Sequence, residues 1–240
     1  MNLKSFGYKS HLSLPLGKTN SAMPKTAILL GATGATGSEL LQLLLNDSRY
    51  DTVKLFSRKA SGVNHPKVKE YVIDLFTLEQ HVADFTGDVV FCCIGTTKAK
   101  TPDTDTYYKI DYGIPVAAAT LAALNGIESY IVISALGADK ESGIFYNRTK
   151  GQMQEAVLEQ NIANTHILQP ALIIADRAEN RLGEKIASAV FKVINSLLIG
   201  SLKKYRSIAT GTIARAMIWL DNNRYPKIIV PSDEIQELGR

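Results

Sequence analysis

The strongest constraint in this sequence is an alternation. Short runs that are apolar almost throughout are separated by stretches whose apolar residues recur at helical spacing. TAILLGA is followed by SELLQLLLND, then TVKLFS, EYVIDL and DVVFCCIG; further on come IPVAAATLAALNG, SYIVISA, a helix expected from about Tyr146 to Gln160, and THILQPALI. A strand that is apolar at nearly every position has both faces covered, which is the habit of parallel sheets flanked by helices. Strands alternating with helices supply the connections such a sheet needs. The expectation is a doubly wound α/β domain over residues 23–240, with a small irregular C-terminal region on the substrate side.

Composition narrows the function. At 240 residues and 45% hydrophobic, the chain can bury a large core, and its formal charge of +4 is modest. The basic residues are dispersed apart from Lys203, Lys204 and Arg206, so no nucleic-acid partner is expected. Cys92 and Cys93 are adjacent in an apolar run, which reads as buried thiols in a reducing compartment. His11, His65, His81 and His166 lack the short spacings of a metal site, and no metal is expected. Residues 1–22 contain lysines and serines but no acid and no apolar run, so they are expected to be a disordered extension, with Met23 as an alternative start. Cytoplasmic placement is expected; the alternative is mitochondrial, with residues 1–22 as a targeting segment, although they lack its usual arginines. No stretch of ~18 uninterrupted apolar residues suggests a transmembrane helix.

In a doubly wound sheet the ligand lies beyond the carboxyl ends of the strands, so the residues just after each apolar run carry the function. The first run leads into GATGATG. Gly31, Gly34 and Gly37, with Thr33, Ala35 and Thr36 between them, join a strand to an amphipathic helix. Such a turn lets the backbone approach a pyrophosphate, which the helix N-terminus then binds. The second strand selects the dinucleotide. Asp51 lies about 20 residues past the first glycine, where an acid often binds ribose hydroxyls. It precedes TVKLF, however, and so falls at the wrong end. Ser57, Arg58 and Lys59 fall at the correct end, and two cations at the ribose edge favour NADP through its additional phosphate.

Asp74 and Leu75 follow the third strand, where the carboxylate could accept from the adenine amino group and the leucine pack on the ring; the alternative is a helix cap. Cys93, Ile94, Gly95 and Thr96 follow the fourth strand, beneath and beside the cofactor. Pro170 and Leu172, after the sixth, complete the expected cofactor contacts. Ser134 ends YIVIS, and Tyr146 and Lys150 open the next helix, four residues apart on one face. An ammonium there favours the phenolate and makes Tyr146 a better acid-base group. A second pair with this spacing, Tyr50 and Lys54, is read as accidental because it lies at the entry to the second strand.

These features together resemble the atypical short-chain dehydrogenase/reductases, and within them the Tat-interacting-protein-like oxidoreductases. The matching segments are GATGATG, LFSRK, IGTT, YYKIDYGIP, ISALGAD, FYNRTKG and DRAENRLGE. In the last, Asp176, Arg177, Glu179, Arg181, Gly183 and Glu184 are the most discriminating. The resemblance implies a Rossmann fold with bound NADPH and catalytic roles for Ser134, Tyr146 and Lys150. Ser134 would hydrogen-bond a substrate carbonyl, Tyr146 would donate its proton, and Lys150 would lower the phenol pKa and hold the nicotinamide ribose. Gln169 and Pro170 depart from the Arg-Pro of many extended relatives.

The substrate expected is a small, apolar carbonyl compound. The alternatives are an NADPH-binding regulatory protein that docks a protein partner, since the family includes such members, and an isomerase or epimerase that recycles its nucleotide. The segment Ile186–Leu202 is expected to form a helix over the cleft or at a subunit contact, or else to lie on a membrane surface. Oligomeric state is left open.

Overall fold

The computed structural model describes residues 23–174, 198 and 200–240. Residues 1–22, the DRAENRLGE segment and nearly all of Ile186–Leu202 lie outside the described residues, and with them the expectations placed there. Elements run in the expected alternation: β1 (Lys25–Leu30), α1 (Ala35–Asn46), β2 (Tyr50–Ser57), β3 (Val68–Val72), a 3-10 segment (Leu75–His81) and β4 (Val89–Cys92). There follow α2 (Thr104–Tyr108), a single π turn (Lys109–Gly113), α3 (Ile114–Leu124), β5 (Ser129–Ile133), α4 (Phe145–Leu158) and β6 (Asn164–Gln169). Last come β7 (Ile173–Ile174), β8 (Ile208–Ala209), α5 (Thr210–Asn222), β9 (Ile229–Pro231) and α6 (Ser232–Leu238).

Seven strands form one parallel sheet in the order β3-β2-β1-β4-β5-β6-β9, and β7 and β8 pair separately. Alternation along β1 shows why its run is apolar without a break. Ala27 and Leu29 enter the core shared with α1 and α5, whereas Ile28 and Leu30 enter the core shared with α3 and α4. All four are fully buried. β3, at one edge, is partly exposed along its length, as an edge strand tolerates. Leu40 and Leu44, one turn apart on α1, have no exposed surface and anchor the helix to the sheet, each contributing about 1.5–3 kcal/mol by burial.

The C-terminal part is more regular than the sequence reading expected. β9 extends the main sheet beyond β6, and α5 lies beside α1 with Ile213, Met217 and Leu220 fully buried. A run of three residues is too short to announce itself as a strand by periodicity. At the amino end of the sheet, Tyr50 donates to Asp221 Oδ2 at 2.6 Å, and Lys25 reaches the same oxygen at 2.9 Å. Lys54 turns elsewhere, to Asp84 O and Thr86 Oγ1. Tyr50 and Lys54 are therefore two separate structural ties, far from the end of the sheet where the strand order reverses.

Candidate active site

Strand order reverses between β1 and β4, and the carboxyl ends of these strands meet there. Cys93 N donates to Leu30 O at 2.9 Å. Gly31 turns the chain with a φ of +86°, and a Cβ on it would stand 2.8 Å from Cys93 O. Gly37 is tighter still, because its Cβ would stand 2.0 Å from Gly31 O. Only glycines allow strand, turn and helix to approach this closely. The helix they introduce, α1, has Gly34 at its N-cap, no side-chain cap and no acid in its first turn. Its open N–H groups and the positive end of its dipole are suited to a pyrophosphate.

Beside this turn lies a cavity of about 400 Å³ walled by Gly31, Thr33, Ser57, Arg58, Lys59, Leu75 and Ile94, with Phe56 at its base. The turn, the end of β2 and the loop after β4 are thus brought together as the sequence predicts. Ser57 Oγ donates to Lys59 O at 2.7 Å, shaping the turn that carries the two cations. Among the described residues, neither Arg58 nor Lys59 belongs to an ion pair. A close glycine cradle, an uncapped helix and free cations fit a dinucleotide.

Two of the expected cofactor-side residues have side-chain partners within the protein. Asp74 Oδ1 accepts from Phe76 N at 2.9 Å and caps the 3-10 segment, which leaves Oδ2 as the oxygen that could face an adenine. Cys93 meets the cradle through its backbone; its sulfur packs 3.9 Å from Met217 Sδ, on the core side. Ala35 opens α1 and Thr36 is buried behind the turn. Pro170 is buried and accepts from Leu136 N at 3.0 Å, whereas Leu172 is 57% exposed and its carbonyl accepts from Ile208 N. Both lie past the end of β6, outside the walls of the 400 Å³ cavity.

Ser134 follows β5 directly, with its N–H bonded to Leu168 O at 2.7 Å. The loop that leaves it crosses α4 at Gly151, where a Cβ would lie 2.2 Å from Lys140 N. Asp139 N bonds Asn147 O, and Arg148 bonds Ser142 O at 2.8 Å. These contacts fasten the Ser134 loop to the helix that carries Tyr146 and Lys150. Tyr146 keeps 39% of its surface exposed, open to an incoming reactant.

The lysine does not do what the spacing suggests. Lys150 is buried, and its Nζ lies 2.9 Å from Asp111 Oδ1, off the line of a good hydrogen bond. Asp111 is fully buried and accepts from Thr96 N through Oδ2 at 2.8 Å. The Tyr146 phenol is pushed up to about 12, first by burial and then by the Asp111 charge. Lys150 thus answers the carboxylate, and the expected lowering of the phenol pKa is not found. Asp111 sits in the π turn, a widened turn of the kind often found at functional positions. In the sequence it lies within YYKIDYGIP, with no neighbour that marks a role. An acid just ahead of an apolar helix was its only signal. A second residue missed was Gln154, which extends the Tyr146–Lys150 stripe by another helical step.

Cradle, cavity and sheet order together define a dinucleotide-binding α/β protein. A family model described as NAD(P)H-binding matches residues 31–179. The chain is 30% identical to the HTATIP2 protein of Rattus norvegicus over 81% of its own length and 80% of that protein. It is 29% identical to the mitochondrial FMP52-1 protein of Scheffersomyces stipitis, over 74% of this chain and 76% of that one. A short-chain dehydrogenase/reductase superfamily protein from Agrobacterium tumefaciens, solved with bound NAD, superposes with a TM-score of 0.60 at 13% identity, covering 86% of this chain and 77% of that one. The last likeness speaks to the fold alone. The chain belongs to the HTATIP2-like group of NAD(P)H-binding proteins.

Proposed function

We propose that the protein is an NADPH-dependent oxidoreductase that reduces a small, apolar carbonyl compound. What supports this reading is that Ser134 follows β5 and Tyr146 and Lys150 lie on α4, with Lys150 Nζ 3.7 Å from where a Cβ on Gly95, in the loop after β4, would stand. Gly31, Gly34, Gly37 and the α1 N-terminus would hold the pyrophosphate, Arg58 and Lys59 the ribose phosphate, and Lys150 the second ribose. A bound reduced nicotinamide supplies the hydride. Ser134 donates a hydrogen bond to the carbonyl oxygen, and Tyr146 delivers the proton. A phenol held at about 12 keeps its proton throughout the neutral range, the state that reduction requires. Its exposed side lets water restore the proton after each cycle.

The pairing of Lys150 with Asp111 also favours a second reading, an NADPH-binding regulatory protein with little turnover, because an ammonium so held does not activate the phenol. Assaying an aldehyde and ketone panel with NADPH separates the two. Saturable NADPH oxidation supports the reductase. Binding of NADPH without turnover of any carbonyl supports the regulatory protein. The FMP52 relatives are named mitochondrial, which favours that alternative over cytoplasmic placement. Imaging a fluorescent fusion that carries only residues 1–22 decides between them.

A further inference from the structure

Helix α4 places three functional groups along one stripe: Tyr146, Lys150 one turn later, and Gln154 one turn beyond that. Gln154 is 8% exposed, and its Nε2 donates to Ser134 Oγ at 2.6 Å in a bond buried from solvent. Its Oε1 accepts from Gln169 Nε2 at 3.2 Å, and Gln169 ends β6. Three polar side chains, from the residue after β5, from α4 and from β6, therefore form one chain of hydrogen bonds that ends on the serine.

A serine hydroxyl has one proton and two lone pairs, whereas an amide nitrogen can only donate. With Nε2 facing it, Ser134 must accept from Gln154, and its single proton is left to point away from the relay. The geometry points to Gln154 as a positioning residue, oriented by Gln169, that keeps the Ser134 hydroxyl a donor to the substrate oxygen. The inference rests on the reductase reading of the site. It also explains why a glutamine at 169 is suitable: its amide supplies a donor to Gln154 Oε1 and so selects the orientation of the Gln154 amide.

Two substitutions separate orientation from packing. Gln154→Glu keeps the shape but offers only acceptors when ionised, so it draws the serine proton inward. Gln154→Met keeps the length and leaves the proton free. Against the same aldehyde and ketone panel, Gln154→Glu should lower kcat by about 100- to 1,000-fold, the scale of one lost donor to a developing oxyanion. Gln154→Met should stay within about tenfold of wild type, and neither should change NADPH affinity appreciably. Equal losses for both variants would overturn the inference.

A second measurement needs no substrate. In heteronuclear NMR spectra of the NADP-bound protein, Ser134→Ala should shift the Gln154 side-chain amide signals, because their acceptor is gone. Unmoved signals would overturn the relay. If wild type reduces nothing in the panel, the reductase reading fails and the NMR result alone judges the relay.

Discussion

Lys150→Met tests the buried ion pair through stability, independently of any substrate. The side chains of Lys150 and Asp111 keep only 4% and 1% of their surface exposed, with 2.9 Å between Nζ and Oδ1. Methionine retains the aliphatic stem but strands the Asp111 carboxylate in the core, with Thr96 N as its remaining partner. Breaking a buried pair from one side typically costs about 3–5 kcal/mol. For a chain of this size each kcal/mol moves Tm by about 2–4 °C, so a fall of roughly 6–20 °C is expected. Adding Asp111→Asn removes the stranded charge while keeping an acceptor for Thr96 N. The double variant should therefore lose less than the two single variants together, by about 2 kcal/mol or more. Urea denaturation without nucleotide, with slopes compared among all four proteins, measures the cycle. A loss below about 1 kcal/mol for Lys150→Met, or strict additivity, would refute the idea that Asp111 compensates the lysine.

Gly37→Ala should weaken nucleotide binding and lower stability by about 1–3 kcal/mol despite the better helix propensity of alanine, because its Cβ would meet Gly31 O at 2.0 Å. Gly113→Ala, with helical dihedrals and nothing within 4 Å of the added carbon, should instead stabilise by up to about 1 kcal/mol; thermal melts of both variants check the contrast. Arg58→Ala should reduce the preference for NADPH over NADH by about 1–3 kcal/mol in calorimetry, and equal affinities in the wild type would remove the basis for that preference. Burial holds the His166 imidazole below its ordinary pKa. The unfolded chain then takes up a proton first, so this contribution to stability is present above about pH 6.5 and is lost as pH falls towards the folded value. Urea midpoints measured across that range should fall more steeply for wild type than for His166→Gln.

The sheet was legible because a strand covered on both faces leaves an unbroken apolar run, as β1, β4 and β5 do. The cradle was legible for a related reason: only glycine satisfies the contacts at Gly31 and Gly37. β9 was not, since three residues carry no measurable period. Nor were Asp111 and Gln154, whose roles arise from neighbours distant in the chain. Asp111 becomes the lysine's partner only when the π turn brings it to Lys150 and Thr96, and Gln154 reaches Ser134 across twenty residues. Spacing on α4 showed correctly that Tyr146 and Lys150 share a face. It could not show that a carboxylate from another element would claim the ammonium.

Tyr146→Phe tests the central claim most directly, since it removes one hydroxyl from a partly exposed ring and leaves the cradle untouched. NADPH should bind this variant about as tightly as wild type, while carbonyl reduction should fall by about 100- to 10,000-fold, the usual contribution of a general acid. Full turnover by Tyr146→Phe would contradict the claim.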